Sequence, residues 1–307
     1  MKTVLKITKK ASIFERAVVK ILRKLLLKRS QIHAQSHQVP MAVVAFDLIG
    51  NEIAINGMYE FDELEGVFEL LKEFKNEFIH GTVCDIGANI GNHSRYFANK
   101  FKRVVAFEPN PLIIDILKFN TKFFPNISVF EYAIGNYEGT TNIFGNKQNI
   151  GGFSVLPGRI ISNQEHADDN FDSSSIRVIS LDSMQDHLPN LQLIKIDVEG
   201  FEMQVIESAA QSILKFKPII AFEQWPSDFI DCKSKVIEYL AEMGYVFYWQ
   251  TNYSASSSRT VKFICKLIQA LLGLKTIFFK ISKEVPPGHY SLLVAVHKSK
   301  VSKIQMN

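Results

Sequence analysis

Cysteine is scarce: three residues among 307, Cys84, Cys232 and Cys265, stand far apart with no short pairing motif. They offer no disulfide framework, and a reducing interior is the default compartment. Long apolar runs are missing too, because Lys interrupts each candidate before the eighteen or so residues a spanning helix needs. The N-terminus has no unbroken apolar stretch followed by a small-residue cleavage site, so no secretory signal is expected. The first forty residues are poor in acid but richer in Lys than in the Arg and Ser of transit peptides, which leaves an organellar address open and a cytoplasmic one expected. With 47% apolar and 21% charged residues, the chain is long enough for a sizeable α/β core, and disorder as the dominant state is excluded.

Acid is absent where base is dense. Residues 1–30 hold ten Lys and Arg against Glu15 alone, a local +9, and residues 259–283 add six cations with no acid. The overall charge of +4 therefore divides into two basic segments and a remainder of −11. From Ile13 to Leu26, Phe14, Val18, Ile21, Leu22 and Leu25 fall on one helical face, with Arg16, Lys20, Arg23 and Lys24 on the other. A polar stretch with His33, His37 and Pro40 reads as a linker. The expected organisation is a basic extension and linker over 1–38, then one domain over 39–307 carrying a basic amphipathic insertion at 259–283.

Val43–Phe46 and Glu52–Ile55 flank Gly50-Asn51 and predict a hairpin. Beyond a helix through Leu64–Phe74, short apolar strands alternate with helices. Strands are expected at 82–86, 103–107, 127–133, 191–197 and 218–223, and helices at 92–100, 112–123, 202–214 and 236–243. Closing strands are expected at 245–249 and 291–297. This alternation predicts a parallel sheet covered on both faces. Residues 136–180 read as a long loop with an inserted hairpin.

Four strand ends carry the chemistry. Val83-Cys84-Asp85-Ile86-Gly87-Ala88-Asn89-Ile90-Gly91 runs from strand to helix, and its glycines let backbone approach a nucleotide-like ligand. The Gly-x-x-x-Gly spacing, with Asp85 before it, differs from dinucleotide G-x-G-x-x-G sites and suits a cationic ligand better than a pyrophosphate. Glu108 ends the next strand, 23 residues after Asp85, where a carboxylate can accept from both hydroxyls of a ribose. Lys195-Ile196-Asp197-Val198-Glu199-Gly200-Phe201-Glu202 brings three carboxylates to a third strand end, and Glu223 adds one from the adjacent strand. Such a cluster can hold a hydroxyl, take its proton or bind a cation. Glu202 is expected to cap the following helix. His93 reads as a solvent-facing residue, and a His33/His37 metal pair is not expected.

With Ala133-Ile134-Gly135, these motifs resemble the FkbM family of S-adenosylmethionine-dependent methyltransferases over about residues 80–225. The resemblance implies a class I methyltransferase fold, a Rossmann-like seven-stranded sheet whose last strand is antiparallel. It implies Asp85, Gly87, Asn89 and Gly91 around the methionine part of S-adenosylmethionine, Glu108 on the ribose, and Ala133 and Ile134 by the adenine. Asp197 and Glu199 would face the methyl group and acceptor, with Asp197 as the expected base. The implied reaction is O-methylation of a hydroxyl on a sugar, glycan or related small molecule. A divalent cation is compatible with the carboxylates but not favoured, and no metal-binding residue is assigned.

Two other readings are weighed. A nicotinamide-dependent oxidoreductase would use Glu108 equally well, but the glycine spacing and Asp85 oppose it. A catalytically silent membrane-associated scaffold is opposed by the intact Asp85, Glu108, Asp197 and Glu199. Residues 12–29 and 259–283 are expected as contacts with an anionic membrane surface. No nucleic-acid partner is expected, since the basic segments carry no stacking module.

Overall fold

The computed structural model describes residues 12–36, 40–45, 47–146, 149–154, 171–251 and 278–304. The chain divides into two compact units, Met1–Tyr59 and Glu60–Asn307. In the first, α1 (Ile13–Ser36) is followed by α2 (Leu48–Asn56). The predicted linker is helical as far as Ser36, because no Gly or Pro interrupts it before Pro40, and His33 Nε2 meets the Ile55 carbonyl at 2.8 Å. His37 lies outside the described residues. The predicted 43–55 hairpin is replaced by α2. Asp47 has the extended backbone of an N-cap, and Gly57, at φ +85°, closes the helix by donating to the Ile53 carbonyl. Gly50 and Asn51 therefore sit inside a capped helix rather than at a turn.

The second unit runs α3 (Phe61–Leu70), α4 (Lys75–His80), β1 (Thr82–Ile86), α5 (Asn92–Ala98), β2 (Arg103–Phe107), α6 (Ile114–Thr121), β3 (Ile127–Phe130) and β4 (Ala133–Ile134). It continues through β5 (Gly139–Asn146), β6 (Asn149–Ser154), β7 (Phe171–Ile179), β8 (Leu191–Ile196), α7 (Glu202–Ser208), α8 (Ala210–Phe216) and β9 (Ile219–Gln224). Last come β10 (Phe229–Ile230), β11 (Lys233–Ser234), α9 (Lys235–Glu242), β12 (Tyr245–Thr251), β13 (Phe278–Ser282) and β14 (Tyr290–His297).

The main sheet has the order β13-β12-β14-β9-β8-β1-β2-β3. Strands β3, β2, β1, β8 and β9 are mutually parallel, and β14, the last in the chain, is antiparallel to both its neighbours. The Rossmann-like class I sheet with an antiparallel final strand is thus present, with eight strands among the described residues in place of seven. The additional strand is β13, in the tail of the predicted basic insertion. Its residues Phe278–Ser282 pair antiparallel with β12 instead of continuing a helix, and residues 259–277 lie outside the described residues. Apolar residues separated by single lysines suit an edge strand as well as a helix face.

One face of the sheet is covered by α7, α8 and α9, whose Val205, Ile206, Ile213, Ile237 and Leu240 pack on Ile86, Ile194, Ile196 and Phe222. Opposite, Phe68, Phe78, Tyr96, Phe97 and Phe101 join α3, α4 and α5 in ring contacts of 4.7–6.2 Å. The strand predicted over 127–133 breaks at the exposed Glu131, and β4 leaves for a second sheet of order β4-β7-β5-β6. The predicted 136–180 loop therefore supplies three described strands of this sheet, β5, β6 and β7, with β5 and β6 as the hairpin, and residues 155–170 lie outside the described residues. The helix predicted over 202–214 breaks at Ala209. There the Asp182 carboxylate accepts from the backbone N–H groups of Gln211 and Ser212 at 2.9 and 2.8 Å, capping α8 from outside the helix.

Candidate active site

Parallel strands deliver their C-terminal ends to one rim of the sheet, where open α/β folds bind ligands. At this rim β1 ends in the Gly87–Gly91 turn. Gly87 has φ +73°, and a Cβ there would stand 1.8 Å from the Asp197 carbonyl oxygen, so the turns after β1 and β8 touch through a position only glycine can fill. The N–H groups of Gly87 and Ala88 donate to the Phe107 carbonyl at 3.0 and 2.9 Å, clamping the turn to β2. Gly91, at φ +88°, turns the chain into α5, where a Cβ would press on Leu117 Cδ1 at 2.8 Å.

Glu108 follows β2 and is buried. Its Oε2 accepts from the Asn89 N–H and its Oε1 from the Asn110 N–H, both at 2.8 Å. Burial nevertheless raises its pKa from 4.5 to about 7, against the pull of those two bonds. Each carboxylate oxygen keeps further acceptor capacity beyond its backbone partner. Asn89 adopts φ +49°, and its Oδ1 accepts from the Ile90 N–H at 2.7 Å.

Asp85 has no exposed surface. Ser94 Oγ donates to its Oδ2 at 2.5 Å, and the Lys195 ammonium lies 3.2 Å from Oδ1. Cross-strand pairing places Ala106, Asp85, Lys195, Ala221, Val294 and Tyr248 in one row across the sheet, with two opposite charges side by side at its centre. Lys195, 2% exposed, also donates to the Gly87 carbonyl at 2.9 Å and approaches Asp197 Oδ2 at 3.4 Å. Burial opposes the charge of Lys195, but Asp85 and Asp197 outweigh it and hold the ammonium above the usual lysine range. One buried cation thus spans the glycine turn and the carboxylate cluster.

On the far side, one oxygen from each of Asp197, Glu199 and Glu223 lies within 4.8 Å of the others. That spacing suits a shared cation, a shared proton or a bound hydroxyl. Glu223 is pushed well above the carboxylate range, first by burial and then by the charges of Asp197 and Glu199. Pairing of Tyr290 with Gln224 brings the preceding His289 to this corner, where its Nε2 is 3.2 Å from Glu223 Oε1 and its ring rests on Trp225 at 4.2 Å. Glu202 begins α7, and its Oε1 accepts from the Gly200 N–H at 3.0 Å.

The structure brings Asp85, Gly87, Asn89 and Glu108 together on one side of the rim, and Asp197, Glu199 and Glu223 on the other. Ala133 and Ile134 are buried in β4 beside Val178 and Ile179, three to four residues beyond Phe130, whose carbonyl accepts from the Glu108 N–H at 3.1 Å. Lys195 and His289 are the residues whose roles sequence reading missed. His93 is buried rather than solvent-facing, with Nε2 3.4 Å from Glu60 Oε2, because the first turn of α5 packs inward.

Residues 85–247 match the family model described as the methyltransferase FkbM domain. The hexuronic acid methyltransferase AglP of Haloferax volcanii is 26% identical over 164 residues, covering 52% of this chain and 63% of the relative, so less than two thirds of that protein is spanned. Among solved structures, the FkbM methyltransferase of Methylobacillus flagellatus aligns with TM-score 0.32 and 18% identity over 57% of this chain and 49% of that one. An O-methyltransferase of Bacillus cereus aligns with TM-score 0.38 and 14% identity over 90% and 91% of the two chains. The family match spans more than half of the sequence and contains the glycine turn, Glu108 and the whole carboxylate corner: the chain belongs to the FkbM methyltransferase family.

Proposed function

We propose that this protein is an S-adenosylmethionine-dependent O-methyltransferase acting on a hydroxyl of a sugar or glycan. The observation that carries the reading is the rim itself. A glycine turn and a buried ribose-type acceptor, Glu108, stand on one side and touch, through Gly87 and Asp197, a three-carboxylate corner on the other. The residues fit the cofactor: Gly87 lets the turns after β1 and β8 meet where any Cβ would strike the Asp197 carbonyl, and Glu108 retains acceptor capacity for two hydroxyls. When bound, S-adenosylmethionine supplies an electrophilic methyl group on a sulfonium sulfur.

In this reading Glu108 holds the ribose, and Gly87, Asn89 and Gly91 shape the loop around the methionine part. Asp85 acts on the cofactor through Ser94 and Lys195, which occupy its carboxylate. Ala133 and Ile134 form the apolar floor beneath the adenine. Asp197, half-buried and with Lys195 as its counter-charge, accepts the hydroxyl proton, while Glu199 and Glu223 orient the acceptor. The relative named for hexuronic acid methylation supports an acceptor of the sugar class.

The test combines calorimetry with turnover. S-adenosylhomocysteine should bind and NAD should not. Asp197→Asn should lower methyl transfer to a uronic-acid oligosaccharide by roughly 10²–10⁴-fold while S-adenosylhomocysteine still binds. NAD binding would favour an oxidoreductase, and full turnover by the variant would remove Asp197 from the role of base.

A further inference from the structure

The helix α1 is the largest feature that the methyltransferase reading leaves unused. Its 24 residues make a rod of about 36 Å. At 100° per residue, Phe14, Val18, Val19, Ile21, Leu22, Leu25, Leu26 and Ile32 fill a sector of about 160°. Arg16, Lys20, Arg23, Lys24 and Lys28 fill the opposite sector, which also contains Ile13 and Leu27. Glu15 and Arg29 fall within the apolar sector, the first in the opening turn and the second on a long stem able to lift its charge to the edge.

The apolar sector is in the open. Phe14 is 78% exposed, Ile21 61%, Leu22 52% and Leu25 57%. A globular helix usually buries such a stripe, and among the described residues this one is left exposed. No helix among the described residues is long and apolar enough to cross a membrane, and in α1 the cause is charge rather than length. An apolar half opposed by one whose only charges are cationic fits a surface that is apolar within and anionic at its boundary.

We propose that α1 lies in the headgroup plane of an anionic phospholipid bilayer, with Phe14, Ile21, Leu22 and Leu25 inserted and the Arg/Lys sector against lipid phosphates. The helix would hold the enzyme on a membrane surface without spanning it. This inference does not depend on the methyltransferase reading.

The test uses the full chain and vesicles of phosphatidylcholine, alone or with roughly one-third phosphatidylglycerol. The protein should float with the anionic vesicles and stay behind with the neutral ones. Leu22→Asp/Leu25→Asp should abolish flotation, and Arg16→Ala/Lys20→Ala/Arg23→Ala should weaken it on the order of 100-fold. Circular dichroism and thermal melting, unchanged in both variants, would show that the fold is retained. Three results would overturn the proposal: no flotation, equal flotation with both vesicle types, or a stable α1-dependent dimer in lipid-free solution that Leu22→Asp/Leu25→Asp dissociates.

Discussion

Glu108 accepts two backbone N–H groups, yet burial still lifts its pKa from 4.5 to about 7. A carboxyl whose folded pKa is raised contributes stability that is complete below its unfolded pKa and lost as pH rises through the folded one. Glu108 should therefore cost the ligand-free protein about 3 kcal/mol between pH 4.5 and 7. Glu108→Gln should flatten that part of the stability curve, read as the difference between wild-type and variant thermal melts across pH. In the proposed function the same ionisation serves the cofactor, because only the carboxylate form can accept from both hydroxyls. S-adenosylhomocysteine affinity should rise about 10-fold from pH 6 to pH 8 in the wild type and stay flat in Glu108→Gln. Parallel melting curves would show that Glu108 carries no such cost. This residue was legible in sequence because it ends an apolar strand at a fixed distance from a glycine turn. His289 was not: it lies 66 positions from Glu223, and only the antiparallel pairing of β14 with β9 joins them.

Between elements, Lys195 is the joint. It belongs to β8, its partner Asp85 to β1, and its acceptor Gly87 to the turn beyond. Removing one member of a buried pair strands the other charge, so Lys195→Met should cost about 3–5 kcal/mol in chemical denaturation. Asp85→Asn/Lys195→Met should recover part of that loss, since no buried charge is then left alone. Strictly additive losses would show that the two residues do not act as a pair. The strands β1, β2, β8 and β9 could be read from sequence because short apolar runs ended by Gly, Pro or acid leave few alternatives. The lysine's role could not be read, since 108 positions separate it from Gly87 and only strand register aligns them. Where sequence reading failed, two patterns competed. Gly50-Asn51 invites a turn, but Asp47 and Gly57 bracket a helix around it. The basic apolar tail over Phe278–Ser282 matches a helix face and an edge strand equally, and pairing with β12 selects the strand.

For the whole molecule, the chain divides into two compact units, and the two proposals fall on different ones. All the strand ends of the proposed site belong to Glu60–Asn307, and the amphipathic helix belongs to Met1–Tyr59. A protein beginning at Glu60 should fold, bind S-adenosylhomocysteine within a few-fold of the full chain, and fail to float with anionic vesicles. Loss of cofactor binding in that fragment would show that the first 59 residues complete the site.

The second sheet has a consequence for change over longer times. Its entry strand β4 and exit strand β7 lie side by side, Gly135 donates to the Ile179 carbonyl at 3.0 Å, and Ser180 and Asp182 fasten the exit to Ser208 and α8. A segment whose two ends are already neighbours can lengthen at little entropic cost. It can therefore be exchanged for one of another size while β8 and the carboxylate corner stay in place. A graft between these two anchors should therefore leave the strand ends of the proposed site undisturbed, and S-adenosylhomocysteine binding with them.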